Sequence, residues 1–498
     1  MKRLAAVVMA VMWLSATLFS HAAVFTSSPG ILQENSSNVK IIFDPAQSGV
    51  PALQSASEIY AHIGVTMESA PAAWAYVKGT WQTNTPDKKF SRLSDGRWEL
   101  NIGDIRSYFG ITATNDRVAS IAVIARTAAG NAQTSDCFLE VMPEGFHTSL
   151  TYDRQSLLLT GPAQVTFTAS SSLAADITLA VDGNPIASAS GVYDLSGIHT
   201  FSQSGVTATV TATIASGGVT RTETVKALVA GAPVAQAYPG GVPRQGAVKN
   251  TDGTVTFCLA APGKNNVTLM GSWNNYQPDA ANFMKYHDYN GCRYFWTTIS
   301  EKLADDRYYP YYYLVDATRP VADPYARLVL DPDDATIPAG CFDSMPEYPS
   351  RSVPAGTVLA VYRGDSDSYS WDSATLNFQA PDSRSMTVYE LLIRDFSGDG
   401  SDQGGKRFGT FRSAIQHIPY LKRLGVNAVE LMPVMEFSGN NSWGYNTNFY
   451  MAPDKAYGSP RDMRDFIAEC HRQGIAVILD IVFNQSDGKH PWYQMYDA

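Results

Sequence analysis

The sequence predicts several β-sandwich modules followed by a parallel strand-and-helix segment, and three observations carry that prediction. The chain has 498 residues, whereas a single hydrophobic core stops growing near roughly 250 to 300. From about residue 24 to 380, short runs alternate apolar and polar residues between Gly, Pro, Asn and Asp clusters, as strands with one solvated face do. After residue 386 the period changes, and strand-like runs are separated by residues at helical spacing.

Residues 1–22 carry Lys2 and Arg3, an apolar stretch from Leu4 to Phe19, and the small-residue pattern Ser20-His21-Ala22. This reads as a secretory signal peptide, so the mature protein is expected to be exported to a periplasmic or extracellular space. The stretch is shorter than the roughly 20 residues a spanning helix needs, so no membrane insertion is expected.

Residues 23–142 form the first expected sandwich, with "KIIFD", "RWELNI" and "SIAVIAR" as strands. Trp74, Tyr76, Trp81 and Trp98 lie within it. Alternation is equally compatible with a surface platform of rings and with core aromatics. Residues 143–231 are rich in Ser, Thr and Val; "VTATVTATIASGG" puts Val206, Ala208, Val210, Ala212 and Ile214 on one face, as in an immunoglobulin-like strand. This module holds no titratable cluster and reads as a spacer. The Gly, Pro and Ala-rich residues 232–246 read as a linker. A third sandwich is expected over 247–380, from "TVTFCLAAPGKNNVTLMGSWNNYQ" to the stretch beyond "VADPYARLV".

Within residues 381–498, "MTVYELLI" reads as a strand. Phe411, Ile415, Ile418, Leu421 and Leu424 then mark one helix closed by Gly425, and "VNAVELMPV" is the next strand. Ser459 and Pro460 open a second helix with Met463, Phe466, Ile467 and Cys470 inward and Gly474 at its end, before the strand "IAVILDIVF". Alternating strands and helices mean a parallel sheet with right-handed crossovers, either a (β/α)8 barrel or a doubly wound fold.

Composition narrows the chemistry. A formal net charge of -10 argues against nucleic-acid or anionic-membrane partners, and a neutral ligand fits better. Aromatic residues reach 11%, with 9 Trp and 26 Tyr, and flat rings are suited to sugar faces. The five cysteines lack metal-type spacing, and their odd number leaves at least one thiol free. Asp480 stands inside an apolar run near a strand end, where an unpaired charge would be too costly to bury. It is therefore a site residue or half of a structural ion pair. The segment "NSWGYNTNFYMAPDKAYGSP" reads as a binding loop, in which Tyr445 can stack beneath a ring and Asn446 can bond hydroxyls.

Taken in order, "VYELLIRDF", "GTF", "YLKRLGVNAVELMPVMEF", "SWGYNTNFYMAPDKAYGS" and "IAVILDIVFNQS" strongly resemble successive blocks of glycoside hydrolase family 13, the α-amylase family. "GSWNN" and "DPYAR" resemble the family 48 carbohydrate-binding module that precedes such barrels, and residues 23–142 weakly resemble starch-binding modules. The resemblance implies three sandwich modules followed by the first part of a (β/α)8 barrel, ending after strand three. It implies α-glucan as the partner and retaining glycoside hydrolysis as the reaction. Tyr445 becomes the stacking floor and Asp480 an orienting carboxylate. Asn484 joins a calcium site, while Gln485 stands where the family usually has a sugar-bonding histidine. Trp74 and Trp81 become candidate glucan contacts. The family's nucleophile and acid/base belong to later strands, so no catalytic carboxylate is assigned, and the chain is expected to be an inactive fragment. A non-catalytic glycan-binding protein and a branching or debranching enzyme are the alternatives.

Overall fold

The computed structural model describes residues 24–496 apart from 114, 155, 351, 366–367 and 399–408. The expected signal peptide, residues 1–22, lies outside the described residues. By packing, the chain divides into two compact units. The first is Met1–Leu157 with Pro162–Ser202 and Ala208–Ala227, and the second is Leu158–Gly161, Gln203–Thr207 and Leu228–Ala498.

In the first unit a five-stranded sheet contains β1 (Ile59–Met67), β2 (Ala70–Ala75), β3 (Val118–Thr127) and β4 (Cys137–Met142), in the order β4-β3-β1-β2 beyond the edge strand Leu32–Gln33. It shares one core with a four-stranded sheet built on Val39–Phe43 and Trp98–Gly103. Period-two alternation sorts the faces: Ile59, Ala61, Ile63 and Val65 of β1 are buried against Val39, Ile41 and Phe43. Trp98, at 4% exposure, belongs to this core. In the adjoining hairpin region, Val210, Ala212 and Ile214 are buried as expected, but Val206 lies before strand Thr207–Ser216 and is exposed.

The second unit begins with two antiparallel sheets around a core of Phe257, Leu259, Phe295, Tyr311 and Tyr313. Trp273 packs against Phe257 with ring centroids 5.2 Å apart, so it is a packing residue. Gly271 permits this, because a Cβ there would meet the Trp273 ring at 2.2 Å. Asp323 is fully buried; the Tyr311 and Tyr313 hydroxyls donate to it at 2.9 and 2.8 Å, and burial pushes its carboxyl up.

The rest of the unit is a three-stranded parallel sheet, β5 (Val388–Leu391), β6 (Ala428–Leu431) and β9 (Ala476–Leu479), with Leu391, Leu431 and Leu479 in register. Between β5 and β6 run α1 (Phe411–Ile415) and α2 (Ile418–Leu424). The single expected helix is broken after Ile415, because Pro419 lacks the N–H that would continue the ladder and so starts a new first turn. Leu424, expected inward, is exposed beside the left-handed Gly425 cap. From β6 the chain forms the hairpin β7 (Met435–Phe437) and β8 (Thr447–Pro453), then α3 (Pro460–Arg472), where Ser459 and Asp462 complete a capping box. The odd-numbered strand residues Tyr389, Leu391, Val429, Leu431 and Val477 pack with Phe411, Ile418, Leu421, Phe466 and Cys470 on the helix side, while Leu479 is exposed. Even-numbered residues Val388, Glu390, Glu430 and Ile478 share the opposite face, whose Val388 is 45% exposed.

Charge stitches this sheet to the preceding sandwich. Lys455, 1% exposed, lies between Asp334, at 3.1 Å, and Glu436, with Asp454 alongside. Lys489 binds Asp331 at 2.9 Å and Asp333 at 2.7 Å. His490, 3% exposed beside Tyr450 and Trp492, has its imidazole lowered by burial from 6.5 to about 4. The unfolded state therefore takes up the proton first, so this group's stabilisation is present above pH 6.5 and is lost as pH falls toward 4. In His490→Gln that component is removed, and the gap in denaturant midpoint between the natural chain and the variant is expected to narrow from pH 7 to pH 5. All five cysteines are free thiols.

Candidate functional site

Asp480 follows the last residue of β9, and its N–H donates to the Leu431 carbonyl at 3.0 Å, extending the ladder one residue beyond the strand. The chain then leaves the sheet, so Val482 and Asn484 do not continue the strand face as alternation predicts. Half-buried Asp480 accepts a hydrogen bond of 2.7 Å from the Tyr445 hydroxyl. Among the described residues no cation pairs with it. The Tyr445 phenol is pushed up to about 12, first by this hydrogen bond, then by burial and by the negative charge of Asp480, Glu390 and Glu430.

Glu390 and Glu430 are cross-strand partners, on the same parity as Asp480. The sequence reading passed over both, although each is an acid inside an apolar strand run, the signal that singled out Asp480. Three carboxylates and a phenol thus occupy one face and mouth of the sheet. Carboxylates only accept and a phenol can donate, which suits hydroxyl groups and repels phosphates.

The loop carrying Tyr445 is built by its neighbours. Gly444 adopts φ +92°, and a Cβ there would meet the Pro433 carbonyl at 2.3 Å. Gln485 donates from Nε2 to the Tyr445 carbonyl at 2.6 Å, and its own carbonyl accepts from Tyr450 at 3.0 Å. Gln485 therefore positions Tyr445 by bonding its backbone. Arg394 holds Asn441 and the Ser442 carbonyl from below, and Asn440 ties the loop to the Asp333 carbonyl at 2.8 Å.

Asn446 Oδ1 accepts from Ser442, and its Nδ2 donates to the Ser438 carbonyl at 3.1 Å, so its amide closes the loop on itself. Asn484 is exposed, and among the described residues no group of three or more His, Cys, Asp or Glu side chains is arranged to hold a metal.

Trp74 and Trp81 lie in the first unit, on the solvent side of its five-stranded sheet. Trp74 stacks on His62 at 5.4 Å, Trp81 meets the same imidazole edge-on at 4.8 Å, and Phe138 lies 6.2 Å from Trp74. Trp81 is 40% exposed and Phe138 49%. Asp136 accepts the Trp74 Nε1 proton at 3.2 Å, while buried Arg126 pins the Trp81 loop through the Thr83 carbonyl at 3.2 Å and Asn84 at 2.8 Å. These rings form a surface cluster.

Residues 387–497 match the family model of the α-amylase catalytic domain. The curated relatives are glucan-processing enzymes. Malto-oligosyltrehalose trehalohydrolase of Saccharolobus solfataricus is 35% identical over 140 residues, covering 28% of this chain and 23% of that protein. The 1,4-alpha-glucan branching enzyme GlgB of Shewanella frigidimarina is 27% identical over 229 residues, 46% of this chain and 28% of that one. Among solved structures, the GBS pullulanase SAP in complex with maltotetraose aligns with a TM-score of 0.38 at 20% identity, covering 66% of this chain and 45% of that one. The chain thus matches only about a quarter of the length of these curated relatives. No helix among the described residues is long and apolar enough to cross a membrane.

Proposed function

We propose that this chain belongs to an exported enzyme that processes α-linked glucans with retention, and that residues 381–498 are the opening strands and helices of its (β/α)8 catalytic barrel. The observation that carries the reading is the Tyr445 to Asp480 hydrogen bond at the C-terminal end of the parallel sheet, within the stretch that matches the α-amylase model. That is the end of a barrel at which substrates are bound. Tyr445 would form a floor under a glucose ring, and Asp480 would accept from its hydroxyls and orient the reacting centre. Gln485 supports this floor from behind. Glu390 and Glu430 add acceptors on the same face. Binding of maltotetraose is expected to weaken in Tyr445→Ala and Asp480→Asn. The α-glucan reading fails if neither substitution changes it or if no α-glucan binds.

The ring cluster around His62 favours a second role, adhesion to polysaccharide through the first unit. Retention of the chain on insoluble starch is expected to fall in a Trp74→Ala, Trp81→Ala double variant. Unchanged retention would assign the cluster to packing alone.

A further inference from the structure

Two cations of the first unit are buried without a counter-charge. Lys88 is 2% exposed and Arg126 1%, and among the described residues neither forms an ion pair. Their donors are satisfied by neutral groups. Lys88 donates to the Lys78 carbonyl at 3.1 Å, and Arg126 to the Thr83 and Thr127 carbonyls and the Asn84 side chain. The acids nearby are engaged elsewhere, Asp87 by Lys78 at 3.4 Å and Glu58 by Lys89. Buried Lys and Arg are ordinarily paired, because carbonyl contacts alone do not offset their desolvation. A neutral donor would hold the same carbonyls, so anchoring the loop does not account for the charge.

Both cations act on the ring cluster above them. The His62 imidazole is held below its ordinary value first by burial and then by the positive charge of Lys88 and Arg126, with Asp136 the one acid opposing them. Its ring lies between those of Trp74 and Trp81, and among the described residues neither of its nitrogens has a hydrogen-bond partner. The chain as a whole carries -10, yet the field at this face is positive and is carried through low-dielectric surroundings. A ligand cation, which the rings would otherwise attract, meets the repulsion of Lys88 and Arg126. An anion meets an open imidazole N–H with two cations behind it. Beside it Trp81, 40% exposed, offers a flat apolar surface suited to a sugar face.

We propose that this face binds an acidic saccharide, whose uronate or sulfate group accepts from the His62 N–H in the field of Lys88 and Arg126 while its ring lies on Trp81. The saccharide part rests on the second role proposed above for the ring cluster. The anionic part rests on the two cations and is independent of starch.

The test titrates trigalacturonate, a heparin tetrasaccharide, maltotriose and inorganic sulfate calorimetrically into the full chain at pH 5.5 and pH 7.5. An acidic saccharide is expected to bind about tenfold more tightly than maltotriose. Binding should tighten about threefold at the lower pH, because a bound anion favours the protonated imidazole. His62→Gln is expected to abolish that pH dependence, and Lys88→Met to weaken the acidic saccharide about tenfold. Trp81→Ala is expected to weaken the saccharides and leave sulfate unchanged. Lys88→Met removes a buried charge that has no partner, so without ligand its Tm should equal or exceed that of the natural chain. A lower Tm would overturn the premise that this charge is uncompensated. Failure of both acidic saccharides to bind, binding indifferent to Lys88 and His62, preference for maltotriose, or binding of sulfate alone each overturns the proposal. Acidic-saccharide binding of the expected kind, alongside starch retention that ignores Trp74 and Trp81, would support this site and sink the starch role. Starch retention that needs both rings, with no acidic saccharide bound, would do the converse.

Discussion

Replacing Lys455 with methionine is expected to destabilise the second unit by about 3 to 5 kcal/mol, the cost of leaving buried charge without its partner. Lys455 is enclosed by Glu436, Asp334 and Asp454, all at 5% exposure or less. Burial alone would lower its ammonium, yet the three carboxylates outweigh that effect and hold it above its ordinary value. Without it, the acids must become protonated or draw in water. Glu436 is already pushed well above the usual carboxylate range by burial, and its Oε2 has no hydrogen-bond partner. Asp454 is pushed up to about 6 from 3.8, chiefly by burial. Since its folded value is raised, the native state binds this proton more tightly, so its stabilisation is full below pH 3.8 and is lost as pH rises through 6. In Lys455→Met that dependence should steepen and extend to higher pH. Denaturant midpoints of both chains at pH 5 and pH 8 provide the check, and equal midpoints would show that the cluster is solvated and not buried.

Gly444→Ala is expected to have the second largest effect, a loss of about 2 to 4 kcal/mol together with displacement of Tyr445. The added methyl must sit at a left-handed φ of +92° and 2.3 Å from the Pro433 carbonyl, a backbone atom that has no rotamer to escape into. Relief comes only by moving the loop, which draws the Tyr445 hydroxyl off Asp480. The phenol should then titrate below about 12, because the hydrogen bond that raises it most is gone. Tyrosine ring resonances followed against pH would show this, and an unchanged titration would mean that the loop absorbs the methyl without moving its neighbour. Tyr445→Phe serves as the comparison, since it removes the hydroxyl while sparing the backbone and should cost only about 1 kcal/mol.

Both effects arise from residues whose importance was unequally visible in the sequence. The strand runs around Glu390, Glu430 and Asp480, and the Ser459-Pro460 start of α3, follow from local periodicity and capping chemistry, and the structure has them where that chemistry puts them. Parity and register then bring the three acids onto one face. Tyr445 was recognisable as a loop aromatic, but its partnership with Asp480 spans 35 residues and depends on how the hairpin folds back over the sheet. Asn446 and Gln485 read alike, as amides near a mouth. One closes its own loop and the other bonds the backbone beneath Tyr445, a difference that only the turn geometry creates.

The tryptophans show the same divide. Trp74 and Trp98 both sit in alternating strands, yet Trp98 fills the core and Trp74 stacks on His62 at the surface, because the choice depends on which side a second sheet covers. Amino-acid order alone settled the three parallel strands, the Ser459 start of α3 and the Gly425 end of α2, since periodicity and capping act over a few neighbouring residues. The enclosure of Lys455, the seating of Tyr445 and the facing of each tryptophan were settled by tertiary packing. Each depends on groups far apart in the chain whose contact free energy exists only after the sheets have closed on one another.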